Sequence, residues 1–153
     1  MRLSAWRIVR KKHLATALTG QGASLYPGRW NSRGVPVVYA AGSISLAVLE
    51  LLVHMESAPT TPEYRLIELD FHETLVTEID ARRLPRNWRR DPAPRALQEI
   101  GNRWVRRGQS AVLRVPSTIT GEPNYLLNLA HADFTKIAVG RPTVFRLDAR
   151  LVK

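Results

Sequence analysis

The chain has 153 residues, with 23 Lys and Arg against 13 Asp and Glu, and it contains no cysteine. This length predicts one domain over residues 1–153, because a single core usually serves roughly 100–200 residues. Without cysteine there is no disulfide framework, thiolate nucleophile, iron–sulfur cluster or cysteine-ligated zinc. A hydrophobic content of 44 % excludes a wholly disordered chain.

The net charge of +10 favours an anionic partner, such as a nucleic acid, a phosphorylated small molecule or an acidic protein. Glu50 interrupts the longest apolar run, residues 44–53. That run has about half the length that a membrane span needs. We therefore expect a cytoplasmic protein that does not contact a membrane.

The first third of the chain predicts alternating short elements. Residues 3–9 fit an opening strand, and residues 12–18 fit a short helix that Gly20 ends. A turn-rich segment follows. Residues 35–40 then form a β-rich run that is typical of a buried strand.

A strongly apolar helix is predicted next. Ser43 or Ser45 can cap it, and the apolar periodicity continues to about Met55. Apolar side chains occupy nearly every face, so we expect this helix to be buried almost all round. Pro59 and Pro62 then break the chain.

The second half predicts strands around one more helix. Residues 65–71 alternate with period two, and further strands are expected at 75–79, 111–115, 134–139 and 144–147. Asp91 and Pro92 predict the start of a helix that Gly108 ends. Because strands and helices mix without a βαβ rhythm, the fold class predicted is α+β in a single compact domain.

Glu50 is the most informative single residue, because every other side chain of residues 46–53 is apolar. A carboxylate in such surroundings is costly unless it has a partner or lines a cleft. Glu50 is therefore a candidate catalytic residue. The alternative is a narrow exposed edge of the helix, which His54 would continue.

The turn-rich segment offers groups that suit a ligand. Gly28 allows close backbone approach, Arg29 offers a bidentate grip on phosphate, and Asn31 adds a donor and an acceptor. An ordinary surface turn is the alternative. Tyr39 can place its ring against a flat heterocycle or serve as core.

The last candidates lie near strand ends. Ser117 follows Pro116, and Asn124 and Asn128 flank an apolar patch. Each can meet a ligand or satisfy a turn. The four histidines lack paired metal-ligand spacing, and no Gly-x-Ser-x-Gly elbow is present.

Taken in order, these pieces resemble the RES domain, the toxin half of bacterial toxin–antitoxin pairs. The family is named for an Arg, a Glu and a Ser, which correspond to Arg29, Glu50 and Ser117. Pro27 stands where the family usually has Gly. The matching segments are residues 28–34, 36–40, 47–50, 115–117 and 124–128.

The resemblance implies an α+β fold like that of diphtheria-toxin-type ADP-ribosyltransferases. It implies an enzyme that consumes NAD as its substrate, without a metal, by cleaving the nicotinamide–ribose bond. Hydrolysis, phosphorolysis and ADP-ribosyl transfer to a protein remain open, and growth inhibition is the expected outcome. A cognate Xre-type helix-turn-helix antitoxin is expected to cover the cleft.

The resemblance also implies roles for individual residues. Glu50 would bind a ribose hydroxyl and stabilise the oxocarbenium-like charge. Tyr39 would stack on nicotinamide, Arg29 would grip a phosphate, and Ser117 would contact the ribose or orient Glu50. The expected dinucleotide-binding residues are Arg29, Asn31, Tyr39, Ser117 and Asn124.

Two readings without NAD chemistry remain. The basic stretches around Trp88 and Trp104 suit a nucleic-acid-binding module. We expect this chain to contact nucleic acid through the antitoxin rather than directly. A non-catalytic module that only pairs with an antitoxin is the other. Neither explains a carboxylate at position 50.

Overall fold

An eight-stranded sheet is the frame of the molecule. The computed structural model describes residues 1–55 and 62–152. The strands are β1 (Arg2–Arg10), β2 (Val38–Ala41), β3 (Tyr64–His72), β4 (Val76–Glu78), β5 (Val112–Pro116), β6 (Pro123–Leu127), β7 (Ala138–Val139) and β8 (Thr143–Phe145). The α-helices are α1 (Gln21–Leu25), α2 (Ile44–His54) and α3 (Arg95–Arg107). Short 3₁₀ helices occupy Lys11–Thr16, Glu73–Leu75, Ala81–Arg83, Ala132–Lys136 and Ala149–Leu151.

The strand order divides the sheet into two halves. It runs β4-β5-β6-β2-β1-β3-β7, and β8 also pairs with β3. β4 and β5 are parallel, and the other pairs are antiparallel. β1 follows β3 over its whole length, whereas it meets β2 at the single pair Trp6 and Ala41. The sheet therefore opens between β1 and β2 beyond that pair.

Alternation along the strands places apolar side chains on both faces of the sheet. Ile67, Leu69 and Phe71 of β3 join the larger core cluster on one face. On the other face, Leu113 and Leu126 pack with Leu97 of α3. Burial on both faces explains why strand pairing, rather than helix packing, organises the domain.

Several expectations are confirmed. The fold class is α+β, as predicted. The predicted opening strand corresponds to β1, and the strand predicted over residues 65–71 corresponds to β3. Ser43 is the N-cap of α2, where its Oγ accepts a hydrogen bond of 3.0 Å from the Leu46 N–H. Gly108 ends α3 with φ at 56°, a left-handed conformation that favours glycine.

The expected burial of α2 is wrong. Leu46 and Ala47 are buried, whereas Ile44, Leu49 and Val53 are 40 %, 38 % and 60 % exposed. One side of the helix packs on β1 and β2, so its other side faces outward. Apolar composition by itself does not determine whether a second layer covers a helix.

The start of the second long helix is also corrected. α3 begins at Arg95 with Pro94 as its N-cap, and the Asp91–Pro92 peptide bond is cis. Proline restricts the residue before it to extended backbone. Pro94 therefore keeps Ala93 out of the helix, and Pro94 itself has a non-helical ψ of 139°, so the helix starts at Arg95.

Other boundaries differ from the sequence expectations. The short helix expected over residues 12–18 is a 3₁₀ helix at Lys11–Thr16, and α1 was not predicted. Of the strand predicted over 134–139, residues 134–136 belong to a 3₁₀ helix and only two residues form β7. The strand predicted over 144–147 is the three-residue β8. The central strand β6 was missed, because Pro123 and the flanking amides read as a loop. Pro59 lies outside the described residues.

In the described ranges, no helix has both the length and the apolar character that crossing a bilayer requires.

Gly101 should be the glycine whose replacement is least tolerated. A Cβ there would overlap the backbone carbonyl of Trp30, although alanine is otherwise preferred inside a helix. We expect Gly101→Ala to lower the free energy of unfolding by about 1–3 kcal/mol. Urea unfolding followed by tryptophan fluorescence measures the change.

Gly22→Ala in α1 is the matched control, because nothing lies within 4 Å of the added Cβ. We expect it to be neutral or to stabilise by up to about 1 kcal/mol. Equal losses in both variants would contradict the packing assigned to Gly101.

Candidate active site

The Glu50 carboxylate joins three elements. Its Oε1 accepts a hydrogen bond of 2.9 Å from Ser117 Oγ and one of 2.8 Å from Asn124 Nδ2. Glu50 comes from α2, Ser117 directly follows β5, and Asn124 lies in β6. Among the described residues no donor reaches Oε2. One carboxylate oxygen is thus fixed, and the other remains available.

A tight turn fixes Ser117, which is 1 % exposed. Its Oγ accepts from the Ile119 N–H at 3.1 Å, and its backbone N–H donates to the Glu122 carbonyl at 2.8 Å. The Gly121 N–H closes the turn on the Ser117 carbonyl at 2.9 Å. The backbone therefore places this hydroxyl against Glu50.

Asn31 is a fully buried residue that organises the preceding loop. Its Oδ1 accepts from the Gly28 N–H at 2.9 Å and from Tyr39 Oη at 2.6 Å. Its Nδ2 donates to the carbonyls of Ala23 and Val35 at 2.7 and 3.1 Å. Every polar group of the amide is used within the protein, so Asn31 organises the loop, and its expected contact with the dinucleotide stays a prediction.

Tyr39 is held from both sides. Its Oη donates to Asn31 and accepts from the Trp30 N–H at 3.1 Å. Burial raises the pKa of the Tyr39 phenol well above its usual range, and the hydrogen bond from the Trp30 N–H and the nearby Arg29 charge offset part of that rise. The phenol therefore stays protonated and keeps its donor role. A Cβ at position 28 would lie 2.8 Å from Tyr39 Oη, which explains the glycine there.

Tyr39, which is bonded to Asn31, and Asn124, which is bonded to Glu50, lie on one face of the sheet. Tyr39 pairs with Leu126, and Ala41 pairs with Asn124. Tyr39 and Asn124 are therefore diagonal neighbours, a relation that separates Cβ atoms by about 7–8 Å or somewhat less. The structure thus brings Tyr39 close to the Glu50 cluster.

Arg29 makes contacts that the sequence does not indicate. Its Nη1 donates to the backbone carbonyls of Trp88 and Arg90 at 3.1 and 2.7 Å, and its Nη2 lies 3.9 Å from Asp91 Oδ1. The guanidinium therefore holds segment 88–91 in place. Its side chain is 19 % exposed, and its grip on a phosphate stays a prediction.

Arg7 was missed in the sequence analysis. Its Nε donates to the Ala17 carbonyl at 3.0 Å, and its Nη1 donates to the Tyr39 carbonyl at 2.9 Å, where β1 and β2 diverge. Burial lowers the pKa of its guanidinium. The available signal was its position in β1, two residues from both Ala5 and Val9, which are buried.

A cavity of about 460 Å³ lies beside the turn that carries Ser117. None of the sequence-predicted site residues lines it. Two basic side chains reach it, but Arg82 is paired with Asp80 at 3.1 Å and Arg114 with Glu78 at 3.7 Å. Its lining is Glu78, Ile79, Asp80, Ala81, Arg82, Arg114, Val115, Pro116, Gly121 and Pro123.

Comparison with known proteins places the chain in a family. Residues 4–148 match the RES domain. A protein named Toxin Res from Yersinia enterocolitica is 40 % identical over 148 residues, which cover 95 % of this chain and 97 % of that protein. A protein named Prs ADP-ribosylating toxin from Sphingobium sp. is 34 % identical over 159 residues, covering 100 % and 99 %.

A solved structure supports the fold. A chain in the crystal structure of the M. tuberculosis MbcT–MbcA toxin–antitoxin complex superposes with a TM-score of 0.77 at 18 % identity, covering 95 % of this chain and 85 % of that one. This likeness concerns architecture. The sequence matches show that the chain belongs to the RES domain family.

Tyr39→Phe should destabilise the fold, because it removes the donor to Asn31 Oδ1 and the acceptor of the Trp30 N–H. Leaving buried polar groups without partners costs about 1–3 kcal/mol. Urea unfolding measures the difference.

Tyr64→Phe is the control for this prediction. The Tyr64 Oη is buried and has no hydrogen-bond partner in the described part of the chain. We expect its removal to be neutral or stabilising. A loss in Tyr64→Phe as large as that in Tyr39→Phe would show that the Asn31 contact is not the cause.

Proposed function

We propose that the chain is the toxin of a toxin–antitoxin pair and that it consumes NAD by cleaving the nicotinamide–ribose bond. The observation that carries this proposal is the Glu50 carboxylate, whose Oε1 is held by Ser117 and Asn124 while Oε2 remains available. Family membership supports the toxin assignment. The +10 charge suits a substrate that carries a diphosphate.

The reaction begins with departure of nicotinamide. The C1′–N bond breaks, its electron pair leaves with nicotinamide, and the ribose carries oxocarbenium-like charge. A carboxylate beside that carbon stabilises the charge, as in glycosidases. Ser117 and Asn124 fix the orientation of Glu50, so little reorganisation is required when the charge develops. The acceptor then bonds to C1′ and releases its proton.

Tyr39 and Arg29 would position the dinucleotide. The protonated Tyr39 ring is expected to stack on the nicotinamide, and Arg29 is expected to face a phosphate through the part of its guanidinium that is exposed. Arg29 also fixes segment 88–91 through two carbonyls. Both contacts are to backbone carbonyls, so they do not depend on the side chains of that segment.

We propose transfer of ADP-ribose to a protein as the productive outcome. The name of the Sphingobium relative, Prs ADP-ribosylating toxin, supports this choice. Prs is accordingly the first acceptor to test. Water and phosphate are the competing acceptors, and they would make the enzyme a glycohydrolase or a phosphorylase.

We further propose that an Xre-type helix-turn-helix antitoxin covers the site and that the toxin acts in the cytoplasm. A fold shared with a chain of a toxin–antitoxin complex supports the existence of such a partner. No metal is required, because nicotinamide leaves as a neutral molecule.

Nicotinamide release from NAD by the purified protein tests the function. Glu50→Gln keeps the size and the acceptor oxygen of the side chain but removes its charge. Catalytic groups of this kind are worth about 10²–10⁴ in rate, so the variant should be nearly silent. Phosphate and Prs are added separately to identify the acceptor.

Expression in cells provides an independent readout. The wild-type chain should arrest growth while the NAD concentration falls, and Glu50→Gln should be tolerated at equal expression. Normal growth with high expression of the wild-type chain and unchanged NAD would contradict a toxin that consumes NAD.

Ser117→Ala should reduce kcat by about 10–100-fold, because a hydrogen bond to a charged group is worth about 1.5–3 kcal/mol. KM should change by less than a few-fold, since the lost contact orients Glu50. Ser110→Ala is the control: Ser110 Oγ accepts from Trp104 Nε1 at 2.8 Å, away from Glu50. That variant should lose stability and keep kcat.

A further inference from the structure

We propose that Arg86, Arg89 and Arg90 form a docking surface for an acidic patch on the protein that accepts ADP-ribose. We call this surface the arginine rim. The proposal rests on the proposed function, and it assigns recognition of the acceptor to residues outside the candidate catalytic cluster.

The segment that carries the arginine rim is held firmly. Leu84 is buried, and Trp88 packs on the core cluster beneath α3. Two tight turns follow one another, with the Trp88 N–H donating to the Pro85 carbonyl at 3.0 Å and the Arg90 N–H to the Asn87 carbonyl at 2.9 Å. Arg29 binds two further carbonyls. The arginines therefore project from a preorganised backbone, which lowers the entropic cost of binding.

The arginine rim has uncompensated charge. In the described ranges, no carboxylate lies within salt-bridge distance of Arg86, Arg89 or Arg90. Arg82 and Arg95, which flank this segment, have carboxylate partners at 3.1 and 3.5 Å. The cavity beside Arg82 is charge-balanced, whereas the three rim arginines have no carboxylate partner among the described residues.

The rim lies beside the candidate active site at two points. Arg29 connects the candidate site to the carbonyls of Trp88 and Arg90. Arg89 Nη2 lies 3.8 Å from the position of a Cβ on Gly121, in the turn that places Ser117. A protein bound to the rim is therefore presented to the catalytic cluster.

The contacts of the tryptophans favour a protein over a nucleic acid. The Arg89 guanidinium lies over the Trp88 ring, 4.8 Å from its centroid, and the indole also packs on the core. Trp104 is 3 % exposed, and its Nε1 is bonded to Ser110. Single-stranded nucleic acids require free aromatic faces for base stacking. Arginine forks match both carboxylates and phosphates, but without such faces the rim lacks the stacking surface that single-strand binding uses.

The experiment compares two variants of equal charge. Arg86→Glu/Arg90→Glu reverses two exposed rim arginines, and Arg141→Glu/Arg146→Glu reverses two exposed arginines around β8, at the opposite edge of the sheet. For each protein we would measure nicotinamide release without acceptor, ADP-ribosylation of Prs, and binding to poly-L-glutamate and to a DNA oligonucleotide.

The rim variant should release nicotinamide within twofold of wild type. Its modification of Prs and its affinity for poly-L-glutamate should both fall at least tenfold, and the β8 variant should match wild type in every assay. Added salt should weaken poly-L-glutamate binding of the wild type more than that of the rim variant.

Other outcomes overturn the proposal. If nicotinamide release by the rim variant falls as much as its modification of Prs, the rim serves NAD binding. If the rim variant and the β8 variant lose Prs modification equally, the effect is one of net charge. Loss of DNA binding alone would assign the rim to nucleic acid. If the wild type cleaves no NAD, the proposed function fails. If it modifies no Prs, poly-L-glutamate binding still decides whether the rim recognises an acidic chain.

Discussion

The pair of hydrogen bonds that Ser117 and Asn124 donate to Glu50 Oε1 is the interaction on which the site depends. It fixes a carboxylate from an apolar helix against the ends of two strands. Without these donors the carboxylate would be poorly solvated at a half-buried position, and burying it would lower the free energy of unfolding. With them, one oxygen is fixed and the other is oriented by the same geometry. The same two donors therefore stabilise the carboxylate and set the direction of its other oxygen.

A second constraint lies beside it on the same face of the sheet. The buried amide of Asn31 satisfies the Gly28 backbone and the Tyr39 hydroxyl, so the loop and the strand β2 adopt one arrangement together. Because the donors and the acceptor of this amide all bond within the protein, they fix the conformation of the loop. Tyr39 thereby lies diagonally across from Asn124, which binds the Glu50 carboxylate. Arg29 binds the backbone of segment 88–91.

The excess positive charge has a spatial order that composition does not reveal. Several arginines are paired locally, as Arg82 is with Asp80 and Arg150 with Asp148, and they add little beyond surface solubility. The arginine rim differs, because its charges are held on an anchored segment next to the candidate site. Electrostatic attraction to an acidic surface then acts at the position where the chemistry would occur.

Local patterns were sufficient to predict β1, β3, the cap at Ser43 and the unusual carboxylate at position 50, because periodicity, capping and an interrupted apolar run are properties of neighbouring residues. They did not indicate β6, whose five residues include a proline and an asparagine. They also could not give the partners of Arg29, which lie 59 and 61 residues away in sequence. Pairing between distant segments decides which residues meet, and only the tertiary structure contains that information.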